Sequence, residues 1–521
     1  MDWMSAQNDP ETEARGRGVS RRAALGSIGL GALAGAAGGA GVYALQTRVS
    51  GAPGPDAVGE PAAATKISVG SWAAVRGDHY YIAHRGSGDV FPEHTMEAYQ
   101  AAFQWGAKCL EVSVGRTSDN VLVCMHDASY DRTTTATGKL ADLPSTILRG
   151  VNVRQARLGP AWLREPMPAV PLFEDVLRRF GGQVVLCVEP KDNLAYPLMV
   201  EMVERYGLKA SVIFKLFYES PRIDEAKAAG YPVFVYLGRT ADLVPSIIDP
   251  IVAKLDRDRD YLVIPAFGAD AVTFTDDAIV QRCVATNVPV WVYPVHRRSD
   301  ADHFFGLGVA GAICSSYGYV SRREPTATTD TWRYKAIASG EMTKDPASDA
   351  FALTWTGEDE LTLGLQGAQH FVTLGQLCPL PNAKASYTID FQARWTTMPK
   401  DSTSNITLAF GHTDDAYYEH RRGGTDGYHA IIRRDGRLDL FRHRPNNQTG
   451  AQLGSVQTRA PRVNEWMSFR LEVQPQQIRW SRLDGTPATV TTEDAAVRGG
   501  YLHVGRSALD GGLSLRQLRV S

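Results

Sequence analysis

Residues 80–86 read Tyr-Tyr-Ile-Ala-His-Arg-Gly, an apolar run of strand length that ends on an imidazole, a guanidinium and a glycine. Similar short apolar runs recur along the chain to about residue 315, and stretches with helical periodicity separate them. Strands that alternate with helices are typical of a parallel α/β fold. The sequence therefore predicts a domain of repeated strand–helix units from Tyr80 onward.

The alternation predicts eight parallel strands. They are Tyr80–Gly86, Cys109–Val114, Val184–Glu189, Ser211–Phe217, Pro232–Leu237, Tyr261–Pro265, Pro289–Pro294 and Gly311–Ser315. Helical patterns between them include Thr95–Trp105, Leu172–Phe180 and Arg222–Ala229. Eight such units predict an α/β fold of the (β/α)8 TIM barrel type, with functional side chains at the carboxyl ends of the strands. His84, Glu111 and Glu189 fall at such ends.

The segment Val121–His126 stands outside that count. It follows the second strand after a few residues, whereas parallel neighbours need a crossover of a dozen or more. We expect it to return antiparallel as a hairpin with Ser118 and Asp119 as its loop. This register places Glu111 opposite His126 and brings a second histidine to the barrel mouth. A slip of one residue would point His126 the other way.

The rest of the chain is predicted to form further units around this barrel, which spans residues 79–321. The stretch 128–170, rich in Thr, Gly, Pro and Arg, is too long for a simple loop and predicts a small insertion over the site. A polar linker follows at 322–345. Beyond it, residues 346–521 read as short alternating strands punctuated by turn residues, which predicts a β-sandwich.

Eight sandwich strands are predicted. They are Ser386–Trp395, Ile406–Phe410, His429–Arg433, Leu438–Phe441, Trp466–Val473, Ile478–Arg482, Tyr501–Val504 and Leu513–Val520. In strand rhythm this half resembles concanavalin-A-like and laminin-G-like sandwiches, a resemblance that implies carbohydrate binding by analogy of fold alone.

The N-terminus predicts export. Ser20-Arg21-Arg22 precedes a Gly- and Ala-rich apolar run, so residues 1–45 read as a twin-arginine signal and 46–78 as a flexible lead. A transmembrane anchor is the alternative, although so many glycines and alanines make the run weakly hydrophobic. On the export reading the mature chain has no stable membrane span and is extracellular or associated with the cell wall.

Composition excludes other classes. A formal net charge of −2, with no basic stretch interleaved with aromatics, gives no reason to expect a nucleic-acid partner. Six cysteines without a Cys-x-x-Cys pair are too few for a disulfide scaffold in a chain of 521 residues.

The polar side chains at the predicted strand ends indicate phosphodiester chemistry. His84-Arg85-Gly86 is followed by Pro92-Glu93-His94-Thr95, then Glu111, His126-Asp127 and Glu189-Pro190-Lys191. Two imidazoles can accept and donate a proton near neutral pH, and a guanidinium fork matches phosphate oxygens.

In this order the motifs resemble those of the glycerophosphodiester phosphodiesterase family, His-Arg-Gly, Pro-Glu-Asn-Thr, Glu-x-Asp, His-Asp and Glu-x-Lys. The resemblance covers roughly residues 80–320. It implies that His84 and His126 act as general base and acid, in an order the sequence leaves open. It implies that a glycerol hydroxyl attacks the neighbouring phosphorus, and that Glu111 and Glu189 bind a divalent cation, Mg²⁺ or Ca²⁺.

Six further residues are predicted to contact substrate or phosphate. They are Arg85, Glu93, Lys191, Lys215, Phe217 and Trp291. Arg85 also suits an ion pair with Glu93, and Phe217 and Trp291 suit the barrel rim as well as a glycerol pocket.

The chain departs from the family pattern at His94, which replaces an asparagine, at Ser113 and in the last strand. Ser113 replaces the aspartate that follows Glu111 by two residues, and a neutral hydroxyl is a poor ligand for a hard cation. The last strand, Gly311–Ser316, also lacks the family's acids. Either a divalent ion binds through Glu111, Glu189, waters and substrate, or Lys215 supplies the positive charge. The alternative is that Lys215 is a strand-end lysine that reaches solvent and has no role in the site.

The leading hypothesis is an exported hydrolase of glycerophosphodiesters, or of glycerol-phosphate units in a teichoic-acid-like polymer, with the sandwich holding it near cell-wall polysaccharide. One alternative is a metal-independent, phospholipase-like lyase that releases a cyclic phosphate. Another is a degenerate barrel that only binds a phosphate- or sugar-containing ligand.

Overall fold

A computed structural model describes most of the two predicted domains. The residues it describes are 67–70, 79–155, 158, 162–268, 273–323, 353–357, 359–365, 371–376, 386–415, 426–444 and 450–521. The predicted export signal, most of the flexible lead and most of the linker lie outside these ranges. Within them, no helix is both long and apolar enough to cross a membrane.

The first domain is a closed barrel of eight parallel strands with one antiparallel addition. The strands are β1 (Tyr80–Ala83), β2 (Cys109–Arg116), β3 (Leu122–Cys124), β4 (Val185–Pro190), β5 (Val212–Phe217), β6 (Val233–Tyr236), β7 (Tyr261–Pro265), β8 (Val290–Val295) and β9 (Gly311–Cys314). Strand β1 pairs with both β2 and β9, which closes the ring, while β3 pairs antiparallel with β2. The predicted TIM barrel is confirmed.

Eight α-helices accompany these strands in the described part of the barrel. They are α1 (Met96–Gln104), α2 (Phe173–Phe180), α3 (Ala195–Arg205), α4 (Arg222–Ala228), α5 (Pro245–Val252), α6 (Asp277–Val284), α7 (Arg298–Gly306) and α8 (Tyr317–Arg322). Helix α1 begins where Thr95 accepts a hydrogen bond from the amide of Ala98, a typical N-cap. Helix α2 carries acids in its first turn and arginines in its last, as the helix dipole favours.

Strand alternation sorts the barrel interior into layers. Tyr80, Ile82, Cys109, Cys187, Ile213, Phe234, Tyr261, Trp291 and Ile313 are members of one apolar cluster low in the barrel. Because side chains two residues apart share a face, the polar residues that follow these on the same strands lie above that cluster. The functional layer therefore stands on a packed floor.

The β2–β3 hairpin corrects the predicted register. Val114 pairs with Cys124 and Arg116 with Leu122, and the Thr117 amide donates to the Val121 carbonyl, so the loop consists of the three residues 118–120 and Glu111 is not opposite His126. The cause is Asn120, whose φ of 66° places it in the left-handed region and adds a residue to the turn. Strand β3 ends at Cys124, the Met125 amide still donates to the Ser113 carbonyl, and His126 follows near enough to Glu189 to act on its charge.

The second domain consists of two antiparallel sheets. Its strands are β10 (Leu353–Trp355), β11 (Glu360–Leu363), β12 (Phe371–Gln376), β13 (Tyr387–Thr397), β14 (Asn405–Gly411), β15 (Gly427–Arg433), β16 (Arg437–His443), β17 (Ala451–Gln457), β18 (Met467–Gln474), β19 (Gln477–Arg482), β20 (Ala488–Thr492), β21 (Gly499–Arg506) and β22 (Gly512–Val520). Seven strands run in the order β10-β11-β22-β13-β18-β19-β20 and six in the order β12-β21-β14-β15-β16-β17. One apolar cluster joins their inner faces, as in a sandwich.

Asp415 of the sandwich contacts the barrel directly. Its carboxylate accepts hydrogen bonds of 2.8 Å from the amides of both Arg298 and Ser299, at the start of α7, and one of 2.7 Å from the Tyr319 hydroxyl. The Arg298 guanidinium lies 4.4 Å from the centre of the Tyr319 ring and donates to the hydroxyl of Tyr501 on β21. The sandwich thus supplies the carboxylate that caps a barrel helix.

Candidate active site

His84 enters the site from a tight turn at the end of β1. Residues 84–86 form a single 3₁₀ turn in which Arg85 has a φ of 53° and Gly86 a φ of 74°. A Cβ atom on Gly86 would lie 2.8 Å from the Cβ of Ala98 on α1, so only glycine allows this approach. The His-Arg-Gly motif therefore fixes the histidine against the first helix.

Two contacts orient the His84 ring. Its Nδ1 lies 2.7 Å from the Ser315 hydroxyl, and its Nε2 lies 3.6 Å from a carboxylate oxygen of Glu111. The same Glu111 oxygen accepts the backbone N–H of Arg85 at 3.1 Å. Glu111 thus holds the backbone of the turn and faces the imidazole.

Lys215 lies between the two predicted metal ligands. Its Nζ is 2.6 Å from one oxygen of Glu111 and 3.1 Å from one oxygen of Glu189. All three side chains are buried, and consecutive barrel strands β2, β4 and β5 carry them. The alternative that Lys215 reaches solvent is wrong.

The electrostatics of this trio keep all three groups charged. Burial raises the pKa of Glu111, but Lys215 and His84 outweigh it and lower the pKa to about 2. Burial also opposes ionisation of Glu189, and Lys191 and Lys215 hold its pKa well below the usual value. Burial lowers the pKa of Lys215, but the two glutamates raise it well above its usual value.

Glu189 collects further donors. The Lys191 ammonium lies 2.9 Å and the Tyr236 hydroxyl 3.0 Å from one of its oxygens. The Ser113 hydroxyl donates to the other oxygen at 3.4 Å. Lys191 therefore stands beside the predicted metal ligand, as the Glu-x-Lys spacing led us to expect.

His126 belongs to a second network, formed with Asp127 and Arg132. Its Nδ1 lies 2.9 Å from Asp127, whose carboxylate also accepts two hydrogen bonds from Arg132. Burial raises the pKa of Asp127, while His126 and Arg132 bring it far below the usual range. His126 is close enough to Glu189 that its charge favours ionisation of that carboxylate.

Glu93 joins this network to the His-Arg-Gly turn. Arg132 donates to both Glu93 oxygens, at 2.9 and 2.6 Å, and Arg85 approaches them at 3.4 and 3.5 Å. Burial opposes ionisation of Glu93, but Arg132 and Arg85 hold its pKa well below its usual value. The ion pair expected between Arg85 and Glu93 is present. Arg132 binds the Glu93 carboxylate at shorter distances than Arg85 does.

Phe217 and Trp291, the two aromatic residues predicted to contact substrate, lie in different layers of the barrel. Phe217 ends β5 on the same face as Lys215, and its ring is 5.5 Å from that of Tyr236. Trp291 is fully buried in the floor cluster, where its ring packs 5.2 Å from Tyr80. We therefore correct the prediction for Trp291, because a side chain in the floor layer cannot line the glycerol pocket.

The residues present do not fit the divalent cation that the resemblance implies. An ammonium already bridges Glu111 and Glu189, and Ser113 offers a hydroxyl where a third carboxylate was expected. In the described residues no group of three His, Cys, Asp or Glu side chains is arranged to hold a metal ion. A cation with two protein carboxylates would have to displace Lys215 first.

Sequence reasoning missed four contributors to the site. They are Asp127, Arg132, Tyr236 and Ser315. Asp127 belongs to the His-Asp motif but was given no role, Ser315 ended the predicted last strand, and the position of Tyr236 at the end of β6 was a usable signal. Arg132 comes from the insertion, which lacks the periodicity that would have placed it.

Comparison with known proteins identifies the family. The model of the glycerophosphoryl diester phosphodiesterase family matches residues 84–316. The probable glycerophosphodiester phosphodiesterase 1 of Mycobacterium tuberculosis is 40% identical over 260 residues, which cover 46% of this chain and 91% of that protein. The chain belongs to the glycerophosphodiester phosphodiesterase family.

Other members of the family match shorter stretches or show lower identity. The glycerophosphodiester phosphodiesterase of Bacillus subtilis is 33% identical over 130 residues, covering 23% of this chain but only 42% of that protein. Among solved structures, an Oleispira antarctica phosphodiesterase in complex with the product sn-glycerol-3-phosphate is 19% identical, with a TM-score of 0.39 and coverage of 46% and 94%.

Proposed function

We propose that the chain is a phosphoric diester hydrolase that cleaves glycerophosphodiesters to glycerol phosphate and an alcohol. One observation carries this proposal. His84 lies 3.6 Å from Glu111, and the His126–Asp127 pair is near enough to Glu189 to favour its ionisation, so both histidines accompany one charged unit formed by Glu111, Lys215 and Glu189. Two imidazoles held around a polar barrel mouth provide the acid and the base that phosphodiester cleavage requires. Family membership and the names of its relatives support the same activity.

The charges of the site suit a phosphate group. Four cationic side chains, Arg85, Arg132, Lys191 and Lys215, neutralise four carboxylates, Glu93, Glu111, Asp127 and Glu189. Protonation of one histidine then leaves a single positive charge, which matches the single negative charge of a phosphodiester. The same imidazolium is the acid that the leaving alcohol needs.

The proton transfers follow from this arrangement. One imidazole accepts the proton of the attacking glycerol hydroxyl as its oxygen bonds to phosphorus, and the other protonates the departing alcohol oxygen as its bond to phosphorus breaks. Water then opens the cyclic phosphate, with the two histidines exchanging roles, and yields glycerol phosphate. Asp127 fixes the ring of His126, and Ser315 fixes that of His84.

Product analysis tests this proposal. The purified full chain is incubated with glycerophosphocholine and followed by phosphorus NMR, alongside His84→Ala, His126→Ala and the control His303→Ala on α7. We expect glycerol phosphate from the parent and the control and a loss of at least about 10³-fold in both site variants. Equal rates in all four proteins would refute the acid–base assignment.

A lyase that stops at the cyclic phosphate is the second candidate. The bridging ammonium of Lys215 favours it, because an unaided cation of this kind does not activate a water molecule as a metal ion does. Phosphorus NMR distinguishes the two, since a cyclic product has its own resonance. Accumulation of that resonance without glycerol phosphate would make the lyase the correct assignment.

We also propose that the chain is exported and acts on glycerol-phosphate groups of the cell envelope. Support comes from Ser20-Arg21-Arg22 and the apolar run that follows. Binding of cell-wall polysaccharide by the sandwich rests on its fold. Export is checked by fractionating cells that produce the chain and its Arg21→Lys/Arg22→Lys variant, which should remain in the cytoplasm.

A further inference from the structure

Resting on the proposed function, we infer that Lys215 takes the place of the divalent cation, so that this phosphodiesterase works without a metal ion. The ammonium is covalently part of the barrel wall. It performs the structural task of the metal by binding two carboxylates from neighbouring strands.

The position of Lys215 is that of a bridging ion. Its Nζ contacts Glu111 at 2.6 Å and Glu189 at 3.1 Å, and these are the two glutamates at the family's ligand positions. The contacts are to oxygens on different strands, β2 and β4, while the lysine itself comes from β5. A metal ion could bind both glutamates only if the ammonium left, and a buried pair stripped of its partner is strongly unfavourable.

The substitution pattern also conserves charge. Three carboxylates and a divalent cation, the arrangement the family pattern implies, carry a net charge of −1. Here Ser113 removes one carboxylate, and Glu111, Glu189 and Lys215 together also carry −1. The rest of the site, including His84 beside Glu111, therefore meets the same net charge as in a metal-loaded relative. Ser113 and Lys215 act as a matched pair of changes.

The surroundings hold the ammonium in place. Lys215 is buried, and its Nζ lies 4.8 Å from the centre of the Tyr236 ring and 5.2 Å from that of Tyr293. Cation–π contacts of this kind stabilise a desolvated ammonium. Both tyrosines are fixed in turn, because the Tyr236 hydroxyl bonds Glu189 and that of Tyr293 bonds the carbonyl of Leu237. A cage of two rings and two carboxylates surrounds the lysine head.

Calorimetry and activity together test the inference on the full chain. Ca²⁺ and Mg²⁺ are titrated into the parent, Lys215→Met, the double variant Ser113→Asp/Lys215→Ala and the control Lys254→Met, whose lysine lies in an exposed ion pair. Glycerophosphocholine turnover is measured for each protein in EDTA and in each metal.

We expect no binding heat from the parent and an activity in EDTA within twofold of that with metal. The double variant should bind Ca²⁺ and show a higher unfolding temperature in its presence, because the third carboxylate and the vacated space recreate a metal site. Lys215→Met should lose at least about 10²-fold in activity. If Ca²⁺ restores activity to the double variant, the loss of activity in Lys215→Met is not simply misfolding.

Two results would overturn the inference. One is stoichiometric metal binding by the parent, and the other is parental activity that EDTA abolishes and Mg²⁺ or Ca²⁺ restores. Failure of the proposed function looks different, because the parent would then turn over no glycerophosphodiester in any condition. The calorimetric comparison would still decide whether Lys215 displaces the metal.

Discussion

The Nδ1 atom of His84 and the hydroxyl of Ser315 lie 2.7 Å apart across the seam where the first and last barrel strands meet. This hydrogen bond fixes the ring so that its Nε2 faces Glu111. The serine directly follows the last barrel strand, β9. The end of the altered last strand therefore still supports the histidine, through a neutral hydroxyl.

Ser315→Ala should lower kcat about tenfold and leave KM nearly unchanged, because the ring loses its orienting partner while the phosphate contacts remain. Steady-state kinetics with glycerophosphocholine measure this, with Ser321→Ala on α8 as the control. A fall in activity no larger than that of the control would show that the hydrogen bond does not position the ring.

Asp127→Asn should reduce kcat/KM by roughly 10²–10³-fold, because an amide no longer stabilises the imidazolium of His126. Arg132→Met should cost less, roughly tenfold, since Arg132 acts only through Asp127 and Glu93. The pH–rate profiles of both variants should shift relative to the parent. Profiles that coincide with the parent's would contradict a role for the Asp127 carboxylate.

Gly311→Ala should destabilise the barrel. A Cβ atom at Gly311 would lie 2.4–2.5 Å from the indole of Trp291, and overpacking of this kind costs about 1–3 kcal/mol. We expect the unfolding temperature to drop by several degrees and KM to stay unchanged, because Trp291 lies in the floor layer. Gly306→Ala, which meets no atom within 4 Å, is the control.

Trp291→Phe provides the second half of that test. In a double-mutant cycle, the smaller ring should relieve part of the cost of Gly311→Ala. A raised KM in Trp291→Phe would restore the original prediction that this tryptophan contacts substrate.

The free energy of unfolding should fall as the pH is lowered, because the sandwich buries histidines. His429 and His503 pair with Ala409 from either side, on the sheet face away from the sandwich core. Burial and then the neighbouring His443 and His412 lower the pKa of His429 well below its usual value. Burial and then His412 lower the pKa of His503 to about 3, with Asp415 opposing and Arg297 reinforcing the shift.

The linkage between proton binding and folding gives the direction of this pH dependence. The unfolded chain binds protons below about pH 6.5 and the folded histidines do not, so their contribution is complete above that pH and declines as pH falls toward the folded pKa. Each histidine should remove roughly 1.4 kcal/mol from the free energy of unfolding per pH unit in this window. Chemical denaturation between pH 7 and 4.5 measures it, and His503→Asn should flatten the dependence. An equal slope in that variant would refute the assignment.

Asp415→Ala should weaken the connection between the barrel and the sandwich. It removes three hydrogen bonds, from the amides of Arg298 and Ser299 on α7 and from the hydroxyl of Tyr319, together with the negative charge that acts on Arg297. Scanning calorimetry should show one transition for the parent and two for the variant. Asp401→Ala, at an exposed turn of the sandwich, should behave as the parent does. A single unshifted transition in Asp415→Ala would contradict the coupling.

Much of the barrel could be predicted because the ionisable motif residues lie at the ends of clear apolar strands. All eight parallel strands appear within a few residues of their predicted limits, since apolar runs between helical patterns are hard to misread. Lys191 and Lys215, both predicted at the site, lie beside the glutamates at the strand ends.

The predictions failed where the conformation of a single residue or a tertiary contact determines the structure. The hairpin register depended on the left-handed Asn120, which two-residue turn rules do not anticipate. Five sandwich strands were not predicted, namely β10, β11, β12, β17 and β20. In β17 and β20 few residues are buried and no apolar alternation marks the strand. Arg132 reaches the site from irregular backbone, and its pairing with Glu93 depends on a fold that local patterns do not encode.

The lysine of the barrel wall also changes how the site relates to its own product. A phosphomonoester binds divalent cations, so an enzyme that borrows a metal must compete for it with the molecules it releases. An ammonium tethered to β5 cannot be carried away by phosphate, diluted or exchanged for another ion. Lys215 makes the positive charge of this site independent of the surrounding ionic medium.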